Sequence, residues 1–283
     1  MKRLILCAVA VLSLAALACS FITINIPRLK TGPTETLTVS EPLPDASVVD
    51  VTLKMGAGEL KVSGGAEGLV EGEIQYNVAA WKPTITNDGD SLTIQQGDTN
   101  GQIGIPENDV VNQWDLKLGN APMNLTINAG AYDGALDLSG VPLRNLEIND
   151  GASDAVVTFD SVNPEEMETL VYETGASSVD LTGLANANFA EMTFAGGAGD
   201  YTLDFSGELQ RDATVQVTAG VSSLRIVIPS GTAAKVTVRG GLNDVDTDGD
   251  WTTSGDTYET SGDGPTLTIA VEMGVGSLTL VNK

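Results

Sequence analysis

Six segments of this chain repeat one pattern: an alternating apolar strand, a glycine followed by a small or branched apolar residue, then a second alternating strand. Leu125-Thr-Ile-Asn-Ala-Gly130-Ala131 runs into Ala135-Leu-Asp-Leu138, and Leu146-Glu-Ile-Asn-Asp-Gly151-Ala152 into Val156-Val-Thr-Phe159. The same arrangement surrounds Gly175-Ala176, Gly197-Ala198, Gly220-Val221 and Gly241-Leu242. These glycines follow one another at intervals of 21, 24, 22, 23 and 21 residues. Gly56-Ala57 and Gly274-Val275 lie outside the run but share the pattern.

Period-two alternation is the mark of a half-buried strand. A glycine at a fixed place between two such stretches marks a corner, either through positive φ or through close backbone approach. The apolar residue after it is expected to tuck inward. One such unit cannot enclose a core, whereas stacked units bury one continuously. The expected fold is therefore all-β: a β-solenoid-like stack of roughly 22-residue two-strand units. An antiparallel β-sandwich with regularly spaced hairpins is the alternative. The return connections, rich in Pro, Asn and acidic residues, are expected on the surface.

Between residues 65 and 113 the period lapses. Leu69–Val78 reads as a strand, 83–86 and 91–95 as a hairpin across Asn87-Asp-Gly-Asp90, and Trp114–Leu118 as a strand. This gives an N-terminal hairpin-containing subdomain over 45–120, a cap for one end of the stack, and a repeat domain over 121–283. Leu278–Lys283 is expected to leave the other end open to self-association.

The first residues carry a charged Lys2-Arg3, an apolar run from Leu4 to Leu17, and small residues leading to Ala18-Cys19. The run is short for a membrane span and reads as a secretory signal, residues 1–18. A small residue followed by cysteine resembles the bacterial lipobox, which implies acylation at Cys19 and a Pro-containing tether over 19–44. An ordinary signal peptide with a free thiol is the alternative. Cys7 lies in the leader, so no disulfide is available to the mature chain.

The formal net charge is −24, and loss of Lys2 and Arg3 with the leader lowers it by two more. Such a surface disfavours nucleic acid and anionic lipid headgroups. The chain has no histidine, which removes Ser-His and Cys-His nucleophile systems and the commonest zinc ligand. Glu165, Glu166 and Glu168 are the candidates for a glycosidase pair, but they read as a solvated loop. Asp244, Asp246, Asp248 and Asp250 resemble the start of a calcium loop; position twelve is Gly255 rather than Glu, and no helices flank it. No catalytic, cofactor or metal site is assigned. The sites that are assigned are the lipid attachment at Cys19 and the corner glycines Gly56, Gly130, Gly151, Gly175, Gly197, Gly220, Gly241 and Gly274.

Met55-Gly-Ala-Gly-Glu-Leu-Lys-Val62, the following Gly64-Gly-Ala-Glu-Gly-Leu-Val-Glu-Gly72, Tyr76 and Lys82-Pro83 resemble the N-terminal domain of the bacterial toast-rack proteins. The later units resemble repeats of related adhesin-like proteins and of cell-wall-active antibiotic response proteins. The resemblance implies an extracytoplasmic β-stack with roles in adhesion or envelope-stress sensing, and it brings no catalytic residues. The function expected is a non-enzymatic, lipid-anchored binding or scaffold module facing an unknown protein or glycan. A sensor lipoprotein is the alternative and a polysaccharide-active enzyme the last choice.

Overall fold

The computed structural model describes residues 28–98, 105–106 and 109–283, with the side chains at 28, 29, 105, 106, 242 and 243 set aside. The proposed signal (1–18) and Cys19 lie outside the described residues, as does the tether up to residue 27.

The strands, in chain order, are β1 (Arg28–Leu29), β2 (Glu35–Glu41), β3 (Val49–Gly64), β4 (Val70–Tyr76), β5 (Thr84–Asn87), β6 (Ser91–Gln95), β7 (Ile105–Pro106) and β8 (Asn112–Leu118). There follow β9 (Met123–Asp137), β10 (Leu143–Thr158), β11 (Met167–Thr182), β12 (Phe189–Asp204), β13 (Ala213–Ile228), β14 (Ala233–Asp248), β15 (Thr252–Ser254), β16 (Thr257–Thr260) and β17 (Thr266–Asn282). All but β1 and β7 belong to one 15-stranded sheet.

Each long strand is a complete rung, creased at its glycine. The rungs β3, β9, β10, β11, β12, β13, β17 and β14 pair in parallel in that spatial order, which is the solenoid-like stack and not a sandwich of hairpins. Register is strict where a buried face must be kept. Before the crease, Leu53, Ile127, Ile148, Tyr172, Phe194, Val217, Val271 and Val238 form one inward row. After it, Val62, Leu136, Val157, Leu181, Leu203, Ile226 and Leu280 form another.

The glycines stack in a column, and close approach is why they are glycines. A Cβ on Gly130 would lie 2.3 Å from the carbonyl oxygen of Gly56, one on Gly175 2.4 Å from that of Gly151, and one on Gly220 2.4 Å from that of Gly197. No side chain fits there without moving backbone. The alternation slips by one residue at the crease: in β13, Ala213, Val215, Val217 and Ala219 point inward, then Ser222, Leu224 and Ile226. The glycine and its successor therefore both lie on the convex side. This corrects the expectation that the successor tucks inward: Val221 is 65% exposed and Val275 48%, and Ala131, Ala152, Ala176 and Ala198 are exposed too.

The return connections are only partly superficial. Leu138, Val141, Phe159, Leu184 and Phe205 are buried and close the third side of the core. Successive connections also bond to each other, as in Phe159 N–H to Thr182 O at 2.9 Å and Asn163 N–H to Asn186 O at 2.8 Å. Asn163 is buried, donating to the carbonyls of Leu143 and Ala187 and accepting from the amides of Leu143 and Glu165. Its four bonds explain how an amide is tolerated in the core.

The order of the last rungs departs from sequence. β17 inserts between β13 and β14, so Leu278–Lys283 does not form an open end as expected. The reason is burial on both flanks. β17 places Leu267, Ile269, Val271, Met273, Leu278 and Leu280 in the core, whereas the second half of β14 carries exposed Asp244, Asp246 and Asp248. The more polar strand takes the end. There β16 covers only Ala234–Thr237, antiparallel, with β15 beyond it.

At the opposite end the sheet forks. The first half of β3 pairs with β6, and β6 with β5, while the second half pairs with β8, then β4 and β2. Side chains fill the gap at the crease. Gln96 Oε1 accepts from Gly56 N–H at 2.8 Å and from Asn112 Nδ2 at 2.9 Å; Asn112 Nδ2 also donates to Ala57 O, and Asn112 Oδ1 accepts from Trp114 Nε1 at 3.0 Å.

Candidate functional site

The fork creates a groove of about 720 Å³ on the outer face of the first rungs. One wall is the sheet, where in-register pairing sets Lys54, Asn128 and Asn149 side by side on β3, β9 and β10. The other is the arm running from the 3-10 turn Ala79–Trp81 to Asp98, which contributes Trp81, Gln95 and Asp98. The arm is fixed by the hairpin β5–β6, whose Asn87-Asp-Gly-Asp90 turn is closed by Gly89 N–H to Asn87 Oδ1 at 3.0 Å. Gly97 lies against the turn: a Cβ there would meet Ala80 O at 2.3 Å.

Beside the groove, on the inner side of the crease, sits a polar cluster centred on Asp150. Its Oδ2 accepts from Tyr172 Oη at 2.8 Å and Ser153 Oγ at 3.0 Å, and its Oδ1 from Thr174 Oγ1 and Ser177 Oγ. Ser177 Oγ also accepts from Ser153 N–H at 2.9 Å. These donors engage both carboxylate oxygens, so Asp150 ties β10 to β11. Tyr172 stacks on Phe194 with centroids 5.8 Å apart, and Phe194 meets Tyr201 edge-on at 5.0 Å.

Burial pushes the hydroxyls of Tyr132, Tyr172 and Tyr201 above the ordinary tyrosine pKa. For Tyr132 an interaction with the Tyr172 hydroxyl opposes the rise and the Asp150 charge adds to it. For Tyr172 the rise is strengthened by Tyr132 and Asp150, and for Tyr201 by Asp150 and Asp200. The Tyr132 hydroxyl lies by that of Tyr172 without a well-aligned hydrogen bond. It and the Tyr201 hydroxyl are buried beside this network, where an internal water would satisfy them.

The residues singled out from sequence do not come together. Glu165 pairs with Arg144 at 3.7 Å and Glu166 with Arg211 at 3.6 Å, while Glu168 is exposed on β11. Asp244, Asp246 and Asp248 point outward at alternate positions of β14, spaced by the strand step and not convergent on one ion; Asp250 follows in the turn. Among the described residues no group of three or more acidic, cysteine or histidine side chains has metal-binding geometry.

Sequence reading missed both the groove and the cluster. The groove has no local signature, because its members come from 54, 81, 95, 98, 128 and 149. The cluster had one: Asp150 continues the inward phase of Leu146 and Ile148. An acid in phase with a buried row must find partners inside.

A family profile described as the N-terminal domain of toast_rack, DUF2154, matches residues 30–173, spanning the fork and the groove and ending in β11 just before Thr174 and Ser177 of the Asp150 cluster. Solved structures similar to the chain include a candidate cell adhesion protein from Clostridium sporogenes, 22% identical over 88% of this chain and 99% of that one, with a TM-score of 0.47. A candidate adhesin from Parabacteroides merdae is 11% identical over 90% and 99%, with a TM-score of 0.42. A candidate lipid binding protein from Parabacteroides distasonis is 11% identical over 89% and 99%, with a TM-score of 0.39. Likenesses this distant bear on neither ligand nor activity. No curated protein matches the chain.

Proposed function

The chain belongs to the toast-rack family through its N-terminal domain, and from that premise we propose that it is an adhesin-like binding module without enzymatic activity, held outside the cytoplasm by a lipid on Cys19. The observation that carries the reading is the fork at β3: a rigid stack of creased rungs supports one arm that overhangs its outer face and makes a groove there. Sites mounted on rigid elements bind by shape and fixed polar groups.

A binding role also suits the chemistry of the carboxylates. Glu165 and Glu166 each pair with an arginine and Asp150 is bonded to hydroxyls, so each of these carboxylates has a partner within the fold. The leader and Cys19 supply the anchor in this reading, and the acidic surface keeps the rod in solution above the membrane. Among the described residues no helix is long and apolar enough to cross a membrane.

Fractionation tests the anchor. The native chain is expected in the membrane fraction, with an acyl mass added at Cys19 after cleavage before it. Cys19→Ala should lose the acyl group and the processing at that site. A native chain that is soluble and carries a free Cys19 thiol would remove the anchor from the proposal.

A further inference from the structure

The groove's chemistry narrows what it can hold. Its sheet wall is an amide row: Asn149 Nδ2 donates to Asn128 Oδ1 at 3.2 Å and to Glu147 Oε1 at 2.8 Å. Among the described residues this leaves Asn128 Nδ2 and Asn149 Oδ1 without a protein partner. Exposed Lys54 and Gln95 extend the polar rim, and Asp98 supplies a carboxylate. Against these stand a half-exposed indole, Trp81, and the apolar Met55, Ala57 and Ala129 of the lining.

Several ligand classes fit poorly. An acyl chain needs an enclosed apolar tunnel, and this groove is open, its apolar Met55, Trp81 and Ala129 interleaved with Lys54, Asp98 and Asn128. Nucleic acid needs several cations, and among the described residues the groove offers Lys54 alone. A peptide added as a strand needs an open sheet edge, yet β6, the strand nearest the groove, is paired on both sides, with β3 and β5.

We infer that the groove is a carbohydrate site for an uncharged oligosaccharide. A pyranose has an apolar C–H face and a rim of hydroxyls that both donate and accept. The Trp81 indole suits the first; the Gln95 amide, a donor and an acceptor, with the Asn128 Nδ2 donor and the Asn149 Oδ1 acceptor, suits the second. The volume of about 720 Å³ lies within the roughly 300–1,000 Å³ usual for ligand sites. Lys54 is outnumbered by Asp98 and Asp150 in the lining, with Glu147 beside Asn149, so the groove disfavours anionic sugars and suits a neutral one. The inference deepens the binding-module reading and rests on it.

The test uses the full-length chain in detergent on an array of immobilised neutral oligosaccharides, and on cell-wall material before and after periodate, which cleaves vicinal diols. Saturable binding is expected to at least one neutral oligosaccharide, lost after periodate. Trp81→Ala should weaken it at least tenfold and Trp81→Phe less. The pair Asn128→Ala and Asn149→Ala should weaken it severalfold, while Thr218→Ala, on the same outer row three rungs from Asn149, should leave it unchanged. Circular dichroism confirms that each variant is folded. Binding unaltered by Trp81→Ala in a folded protein overturns the site. Wall binding that survives periodate but not proteinase overturns the sugar and keeps the binding module. No binding to array or wall overturns both.

Discussion

The two ends of the rod are built from the same creased rung and closed in different ways. At the β3 end the next layer splits into two arms, and side chains of Gln96 and Asn112 take over the hydrogen bonds that a neighbouring rung would make at the crease. At the β14 end a short hairpin covers the first half of the strand, and the second half carries alternating aspartates along its outer face. One end has been elaborated into a groove. The other is a stop, its edge charged against further pairing. The rungs between them keep the repeat unbroken; under the proposed binding role they are scaffold, and a ligand meets the rod where the repeat is interrupted.

If that contrast is right, the ends should respond unequally to damage. The largest effect is expected from ending the chain at residue 265, which removes β17. Six buried side chains, Leu267, Ile269, Val271, Met273, Leu278 and Leu280, leave the core. At roughly 1.5–3 kcal/mol each their loss rivals a whole domain's net stability of about 5–15 kcal/mol. The truncated protein should show no cooperative thermal transition. Starting the mature chain after β2, in which Val39 is the one fully buried residue, should lower the midpoint by only a few degrees.

The glycine column sharpens the comparison one residue at a time. Gly175→Ala drives a methyl against the Gly151 carbonyl and should cost about 3 kcal/mol in denaturant unfolding. Gly56→Ala meets only the end of the Gln96 side chain, at 3.2 Å, and should cost less than about 1 kcal/mol. Equal costs at the two positions would mean that the crease is not held by rung-to-rung approach.

A smaller, pH-dependent effect belongs to the middle rungs. Tyr132, Tyr172 and Tyr201 have pKa values raised in the folded state, chiefly by burial, so the folded protein keeps protons that the unfolded chain releases. Their contribution is complete below pH 10, the unfolded tyrosine value. It declines as pH rises above that, by up to about 1.4 kcal/mol per pH unit for each tyrosine held neutral. Stability by denaturant titration should fall from pH 10 to 11.5, with tyrosinate absorbance appearing together with unfolding. Tyrosinate formed in full while the circular dichroism stays native would contradict the buried placement of these rings.

How much of this could be read from residues follows from which interactions are local. The glycine period announced the creases because, at every column position after Gly56, a Cβ would clash with the carbonyl of the neighbouring rung. Alternation located the inward rows, since burial and strand geometry share a period of two. It could not reveal which way the crease bends, so the outward turn of Val221 and Val275 was missed. Nor could it order β14 and β17, which carry the same motif; only their difference in charge hinted at which lies outside. The hairpin 84–95 was legible from its Asn-Asp-Gly-Asp turn, whereas its overhang across Asn128 and Asn149 depends on pairing between residues some 40 apart. The groove was therefore invisible until the rungs were in register.

Disulfide mapping along the exposed ridge tests the stacking order most directly. Neighbouring rungs bring ridge Cα atoms to about 4.8 Å, inside the roughly 4.4–6.8 Å that a disulfide spans, while rungs two apart lie beyond it. With Cys7 removed by processing and Cys19 acylated or replaced, Val221→Cys paired with Val275→Cys should cross-link under mild oxidation, and Val221→Cys paired with Leu242→Cys should not. The opposite result, with 221–242 joined and 221–275 apart, would mean that the rungs stack in simple chain order and that this account of the rod is wrong.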